Sequence, residues 1–293
     1  MSRFFVPKEF VKADSIYITG KEAHHILDVM RLKVSDEVVV FDGTGREYTG
    51  IVKAARRKSL EVLIKSARES SCRERGPLVT LIQAITKKDK MDYIAGKATE
   101  LGVSRIIPVT TERTIPEWND AKKASMVQRW RKLAMEAAKQ CGRADIPEIN
   151  PIMPFEELVR HCEEPKATKP FDKSSGFRPE QGRRTKQSQK EIASGTSCPR
   201  NDEKNSWVAM TAWGSDLELI AVLSDKAIKL KDALKDGSGK NITVAIGPEG
   251  DFTPEEAEDA LRAGFKIVSL GPRVLKSDTA GLAVLSMINY EFF

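Results

Sequence analysis

Two glycine-proline loops near the carboxyl end hold the side chains whose types and spacing could do chemistry. One loop covers residues 247–256 and the other covers 271–279, and each follows an apolar run that could form a strand. Glycine turns at the carboxyl ends of parallel strands expose backbone groups and commonly line a ligand cleft. The carboxylate of Glu249 and the guanidinium of Arg273 lie within these loops and could act on a bound substrate.

The segment after the first loop predicts a capped helix. Thr253 suits the N-cap, Pro254 suits the first helical position, and Glu256 completes a capping box. A Gly-Pro turn before a capped helix is also ordinary in α/β proteins, so the motif alone leaves both a binding site and a structural turn open. The glycine fingerprints of dinucleotide and P-loop sites are absent from the sequence.

The elements that would position these loops follow two patterns. The β-type runs of residues 1–72 and the Asp-Gly-Thr-Gly turn at 42–45 predict a small β-rich module with a hairpin. From Leu78 onward, strand-type runs alternate with helical segments such as 89–101 and 121–140. This alternation is typical of a mostly parallel α/β sheet.

Composition limits the class of protein. The 293 residues carry a net charge of +6, with an excess of positive charge in residues 1–75 and of negative charge in 208–293. This asymmetry suits a protein that binds a polyanion through one end and does chemistry at the other, although random surface charge explains it equally well. No apolar run could span a bilayer, and the start of the chain resembles no secretory signal. We therefore expect a cytoplasmic protein without membrane contact, or an organellar one if a longer eukaryotic precursor exists.

The cysteines and histidines do not predict a metal site. The four cysteines form no C-x-x-C pair, and the three histidines have no ligand spacing. Residues 165–207 differ from the rest, being rich in Lys, Arg, Ser, Gly, Pro and Gln. We expect a flexible surface insertion there, because this composition cannot form a core; contact with RNA is a second interpretation.

Ordered blocks along the chain resemble the small-subunit (16S) ribosomal RNA (uracil-N3)-methyltransferase family of the SPOUT superfamily. The two glycine loops lie within the last of the blocks, which are residues 3–6, 24–25, 30–33, 42–45, 87–92, 97–102, 136–143 and 245–283. Asp251 stands where the family has a second glycine, and Lys276-Ser-Asp-Thr279 stands for Arg-Thr-Glu-Thr. Aspartate tolerates a left-handed turn, so we expect the first loop to keep its shape.

The resemblance implies a fold and a domain order. The expected fold is a SPOUT α/β methyltransferase domain with a deep trefoil knot at 76–293, preceded by a PUA-like RNA-binding β-barrel at 1–72. The resemblance also implies S-adenosyl-L-methionine as cofactor, small-subunit ribosomal RNA within a 30S-type particle as substrate, and a homodimer without metal. The terminal helix, predicted from Ala280 onward, is apolar on more than one side and is the expected dimer contact.

The resemblance assigns chemistry to both loops. Methyl transfer to uracil N3 needs the base as an anion, and Arg273 is the first choice to stabilise the charge on its oxygens. Glu249 could bond the cofactor or, as a second choice, accept the proton. The expected cofactor contacts are Leu223, Gly247, Glu249, Gly250, Leu270, Gly271, Arg273, Leu275 and Thr279. The expected RNA contacts are Arg3, Arg31, Arg56, Arg57, Lys58, Gln140 and Arg143.

Two other functions stay open at this point. One is a SPOUT methyltransferase that modifies another RNA nucleotide. The other is a non-catalytic RNA-binding factor in ribosome assembly, which would keep the fold without the reaction. Loops that retain both Glu249 and Arg273 argue against the second.

Overall fold

The computed structural model describes residues 3–56, 58–69, 76–87, 90–163, 216–235 and 241–292. The expected insertion at 165–207, a further predicted strand at 207–212 and Arg57 lie outside these ranges. None of the helices in the described ranges is long and apolar enough to cross a membrane.

The first sheet has five strands in the order β1-β3-β4-β5-β2. They are β1 Arg3–Phe5, β2 Ser15–Thr19, β3 Glu37–Phe41, β4 Arg46–Arg56 and β5 Ser59–Glu69, with a short helix α1 at Gly20–His24 that continues as a π-helical turn over His25–Val29. The predicted hairpin at 42–45 joins β3 to β4. Phe4 and Ile16 belong to strands at opposite edges of the sheet but share one buried core. The sheet therefore curls around its own core as a partial barrel.

The second sheet has eight parallel strands in the order β11-β13-β10-β12-β6-β7-β8, with β9 also paired to β7. Its strands are β6 Leu78–Ala84, β7 Arg105–Thr110, β8 Glu148–Ile149, β9 Met153–Pro154, β10 Leu217–Ala221, β11 Ile228–Lys229, β12 Asn241–Ile246 and β13 Lys266–Ser269. Its helices are α2 Lys90–Glu100, α3 Asp120–Cys141, α4 Phe155–Glu163, α5 Leu230–Lys235, α6 Pro254–Arg262 and α7 Ser277–Phe292.

Helices cover both faces of this sheet because its central strands are apolar on both sides. In β12, Val244 faces the core shared with α2, α3, α5 and α7, whereas Ala245 faces the core shared with α4 and α6. The alternation follows from the two-residue period of a strand. Such burial on both faces is typical of parallel sheets and confirms the predicted α/β class.

Local signals set the ends of two helices as predicted. Helix α6 has the full capping box, in which Thr253 accepts from the Glu256 amide and the Glu256 side chain accepts from the Thr253 amide. Helix α3 begins after the N-cap Asn119 and ends at Gly142, whose φ of 83° is left-handed. Glycine adopts this conformation without the steric cost of a side chain.

The chain crosses itself at the carboxyl ends of β10 and β13. Residues 222–227 lead from β10 to β11, which lies beyond β13. After β13 the chain must run the opposite way, because α7 packs against α2, β6 and β12. The connection after β10 thus passes β13, and the connection after β13 passes β10 in the opposite direction, an arrangement that agrees with the knot implied by the resemblance.

The partial barrel docks on the end of α3 and the segment that follows it. The Gly45 amide donates to the Ala144 carbonyl at 3.1 Å, and the Ile146 amide donates to the Gly43 carbonyl at 3.0 Å. An ion pair between Lys139 and Glu22 adds a side-chain contact. Backbone hydrogen bonds between the two sheets' loops fix how the barrel is oriented on the second domain.

Candidate active site

A cleft of about 810 Å³ opens at the carboxyl ends of β10, β12 and β13. Its lining residues come mainly from three chain segments: 221–225, 246–251 without Gly250, and 268–277 without Pro272. They are neighbours because β10 lies between β12 and β13 in the sheet, although they are far apart in sequence. Ligand pockets typically measure about 300–1,000 Å³, so the cleft can hold a nucleoside-sized molecule.

Apolar side chains lie beside glycine and polar residues in the walls. Leu270 and Leu275 are partly buried against the core below, while Leu223 is 66% exposed at the rim. Backbone amides and carbonyls between such side chains can recognise the edge of a flat heterocycle whose faces contact the leucines. The residues present therefore fit an adenosine-containing cofactor.

Arg273 lies on the exposed side of the cleft with no hydrogen bond or ion pair to any residue that the structure describes. A structural arginine would donate to the loop carbonyls, whereas this guanidinium has donors that no described residue occupies and that a ligand could use. Lys276, in the same loop, also lines the cleft. Lys276 was given no role from the sequence, although it lies three residues before the end of the second glycine loop.

The floor of the cleft is a buried chain of hydrogen bonds between distant segments. Gln83 donates to the Ser277 hydroxyl at 3.0 Å, and this hydroxyl donates to the Gly247 carbonyl. Gln83 and Ser277 are both at least 95% buried. The chain of bonds fixes the start of α7 against the first glycine loop.

Glu249 is held as a carboxylate by a cation and a backbone amide. Its Oε1 accepts from the Lys87 amide and from Lys90 Nζ, both at 3.2 Å, and Lys90 Nζ also lies 3.5 Å from Asp278 Oδ1. Partial burial raises the pKa of Glu249, but its backbone hydrogen bonds and Lys90 outweigh this and lower the pKa below its usual value. The hydrogen bond to Glu249 raises the pKa of Lys90. A carboxylate in this state is a weak proton acceptor at neutral pH.

Asp251 connects two walls of the cleft. Its backbone is left-handed, with φ of 61°, as the sequence predicted for this departure from the family's glycine. Its Oδ2 accepts from the Leu223 amide at 3.0 Å, and its Oδ1 accepts from the Phe252 amide at 2.9 Å.

A further side chain, missed by the sequence analysis, holds the first loop from outside. Arg113, in the segment after β7, donates to the Gly250 carbonyl at 2.7 Å and to the Phe252 carbonyl at 3.3 Å. Nothing in the local sequence links Arg113 to a loop 137 residues away. The contact exists because β7 and β12 both flank β6.

The structure brings most of the predicted cofactor contacts together. Leu223, Gly247, Glu249, Leu270, Gly271, Arg273 and Leu275 all line the cleft. Gly250 and Thr279 are not among its lining residues: the Gly250 carbonyl turns to Arg113, and Thr279 lies exposed in the first turn of α7.

The predicted RNA contacts are spread over the barrel and the end of α3. Arg31, Arg56, Lys58 and Gln140 are exposed. Arg3 is largely buried and pairs with Glu47 beneath the barrel surface. Its guanidinium also lies 5.5 Å from the centre of the Phe41 ring, which gives it a structural position.

The prediction for Arg143 needs correction. Its side chain is 7% exposed, and it donates to the Thr99 carbonyl and to Asp145. A guanidinium that is this deeply buried and already bonded to two internal acceptors is poorly placed to contact a phosphate at the surface. Arg143 instead fixes the segment on which the barrel docks, a role that sequence position alone could not distinguish from RNA binding.

Residues 74–196 and 185–289 match the protein family described as an RNA methyltransferase domain. The chain belongs to this RNA methyltransferase family. Residues 18–65 match a second family, described as an RNA methyltransferase PUA domain. The two matches correspond to the second sheet and to the partial barrel, and they confirm the predicted SPOUT fold with a PUA-like amino-terminal part.

Relatives of this RNA methyltransferase align along almost its whole length. The Ribosomal RNA small subunit methyltransferase E of Bacillus subtilis is 26% identical over 294 residues, covering 99% of this chain and 97% of the relative. The enzyme of the same name from Mycobacterium bovis is 24% identical and covers 92% of this chain and 84% of the relative. A crystal structure of that enzyme from Neisseria gonorrhoeae, bound to S-adenosyl methionine, superposes with a TM-score of 0.72 at 27% identity, covering 100% of this chain and 98% of the other.

Proposed function

We propose that this protein transfers a methyl group from S-adenosylmethionine to N3 of a uridine in small-subunit ribosomal RNA. The observation that carries the proposal is the cleft, which combines backbone-rich walls with an arginine whose donors are free among the described residues. The small-subunit ribosomal RNA methyltransferases that align with nearly the whole chain support this substrate.

The chain's own residues perform three tasks in this reaction. S-adenosylmethionine would supply an electrophilic methyl group when bound between the three wall segments. Arg273 donates to the oxygens on which charge collects when uracil N3 loses its proton, and this lowers the cost of forming the anion. Glu249, fixed by Lys90, accepts hydrogen bonds from the cofactor's ribose or amino group. Because Glu249 stays ionised at neutral pH, the N3 proton passes to solvent water.

RNA binding is assigned to the exposed basic residues of the PUA-like barrel. Arg56 and Lys58 flank the turn between β4 and β5, and Arg31 follows the π-helical turn. Cations at exposed turns contact phosphates and so orient a duplex without reading its sequence. The barrel would hold the particle while the cleft receives one extruded base.

We also propose a homodimer that forms through α7. Tyr290 is 88% exposed and Met287 is 39% exposed on this helix, and Tyr93 of the adjacent α2 is 55% exposed. Large exposed apolar side chains on two packed helices are typical of an interaction site.

The proposal is tested with purified protein and small ribosomal subunits from a strain that lacks the corresponding methylation. We expect binding of S-adenosylmethionine by calorimetry and, after incubation with the subunits, one N3-methyluridine found by mass mapping of the RNA. Methylation of another nucleotide would replace the uridine assignment. Tight RNA binding without any affinity for S-adenosylmethionine or S-adenosylhomocysteine would instead identify a non-catalytic assembly factor.

A further inference from the structure

The Asp251 carboxylate joins two walls of the cleft that no backbone ladder connects at this level. β12 ends at Ile246 and β10 at Ala221, so the segments after them leave the sheet. Beyond that point the Leu223 amide donates to Asp251 Oδ2 at 3.0 Å. The segment's bonds to Ser224, from the Lys226 and Ala227 amides, stay within the segment itself.

We propose that Asp251 is a positioning residue that sets the spacing between the first glycine loop and the segment after β10, and thereby the affinity for the cofactor. This inference rests on the proposed function, since it treats the cleft as the S-adenosylmethionine site. The carboxylate is suited to the role because its two oxygens accept two backbone amides at once, one from each wall. Glycine, the family's residue here, can adopt the same φ but has no acceptor to offer.

The energetic argument concerns the cost of ordering the loops. Leu223 is 66% exposed at the rim of the cleft, so little packing holds its segment in place. A hydrogen bond to a charged acceptor is stronger than one between neutral groups and can hold such a segment before the ligand arrives. Loops that are already fixed in their bound conformation lose less conformational entropy when the ligand binds, and the affinity is therefore higher.

Two substitutions distinguish the effect of the Asp251 side-chain hydrogen bonds from the effect of its left-handed backbone conformation. Asp251→Asn retains tolerance of the left-handed region but replaces one acceptor by an NH₂ donor, so only one of the two amides keeps its bond. Asp251→Gly keeps the φ of 61° and removes both bonds. Asp232→Asn serves as a control, since Asp232 is an exposed α5 carboxylate paired only loosely, at 3.6 Å, with Lys235.

The experiment measures hydrogen exchange of the Leu223 amide and the affinity for S-adenosylmethionine by calorimetry. For Asp251→Gly we expect loss of Leu223 protection and about tenfold weaker binding, equivalent to about 1.4 kcal/mol. For Asp251→Asn, which keeps one of the two bonds, we expect a smaller loss of affinity, and exchange of the Leu223 amide shows which bond is kept. KM for the cofactor should rise with little change in kcat, at an unchanged melting temperature, and Asp232→Asn should match the wild type.

Two results would overturn the inference. One is wild-type affinity in Asp251→Gly despite an unprotected Leu223 amide; the other is a Leu223 amide that stays protected in Asp251→Gly. A wild-type protein that binds no S-adenosylmethionine at all would instead remove the proposed function. In that case the exchange data would still show whether the Leu223 amide is hydrogen-bonded to Asp251.

Discussion

Arg273 is the side chain on which the proposed chemistry depends most. If its guanidinium stabilises the uracil anion only as the methyl group is transferred, Arg273→Ala lowers the single-turnover rate by about two to three orders of magnitude. The affinity for S-adenosylmethionine should change much less, because backbone groups form most of the cleft wall. Rapid quench with labelled cofactor gives the rate, and calorimetry gives the affinity.

Variants of the neighbouring lysine show whether Arg273 or Lys276 stabilises the uracil anion. Lys276 lines the same cleft and is the other cation of the second loop. If Lys276→Ala has the larger rate defect and Arg273→Ala is nearly normal, the anion is stabilised by lysine. Arg273→Lys should also be slow, since a point charge cannot span two acceptors as a planar fork does.

Glu249 gives a prediction about pH. Its pKa is lowered, so the stability it contributes is fully present above its usual value of 4.5 and is lost only as pH falls through the lower folded value. At neutral pH the group holds no proton. Glu249→Gln should therefore leave the shape of the pH–rate profile unchanged from about pH 6 to 9. A profile that loses its rise with pH would make Glu249 the general base.

At the scale of elements, the site depends on how closely α7 approaches β6. A Cβ added to Gly281 would lie 2.6 Å from Gln83 Oε1, whose side chain bonds Ser277 beneath the cleft. Gly281→Ala should lower the free energy of unfolding by about 1–3 kcal/mol through overpacking. It should also weaken cofactor binding, because Ser277 supports the Gly247 carbonyl.

Gly96 provides the matched control within a helix. A Cβ on Gly96 of α2 meets no atom within 4 Å. Gly96→Ala should therefore stabilise the protein by about 0.5–1 kcal/mol, because alanine loses less backbone entropy than glycine in a helix. Urea denaturation measures both variants, and equal effects would contradict the packing argument.

Elements with local signals were predictable from sequence, whereas contacts between elements were not. The capping box of α6 needs only neighbouring residues and was predicted, and the glycine that ends α3 is an equally local signal. The bond from Lys90 to Glu249 joins residues 159 positions apart. Only the order of strands in the sheet brings such residues together, and a single sequence does not contain that order. The resemblance identified the two glycine loops. It gave no role to Arg113 or Lys90, whose side chains contact residues of these loops.

At the scale of the whole molecule, Arg143 tests how firmly the barrel is attached. Arg143→Met leaves the Asp145 carboxylate and the Thr99 carbonyl without this donor in a largely buried place. We expect a loss of about 3 kcal/mol in unfolding free energy. Arg160→Met removes an exposed α4 ion pair with Glu156 and should cost less than about 1 kcal/mol. Similar losses in the two variants would restore the surface role first predicted for Arg143.

The proposed dimer is tested by charging its contact surface. Tyr290→Lys combined with Met287→Lys should shift the protein from dimer to monomer in sedimentation at micromolar concentration. Leu261→Lys, on α6 at the other face of the sheet, should leave the dimer intact although Leu261 is 46% exposed. A monomeric wild type would remove the proposal.

The docking of the barrel on residues 142–146 fixes the distance between the barrel surface and the cleft. Because two backbone hydrogen bonds and the Lys139–Glu22 pair fix the barrel, the span from its basic turn to the cleft cannot vary freely. If the basic turn of the barrel contacts the RNA as proposed, the target uridine is selected by its distance along the folded RNA from that contact more than by the bases beside it. We therefore expect that inserting one base pair between the RNA segment bound by the barrel and the target uridine abolishes methylation. The insertion keeps every nucleotide that contacts the protein.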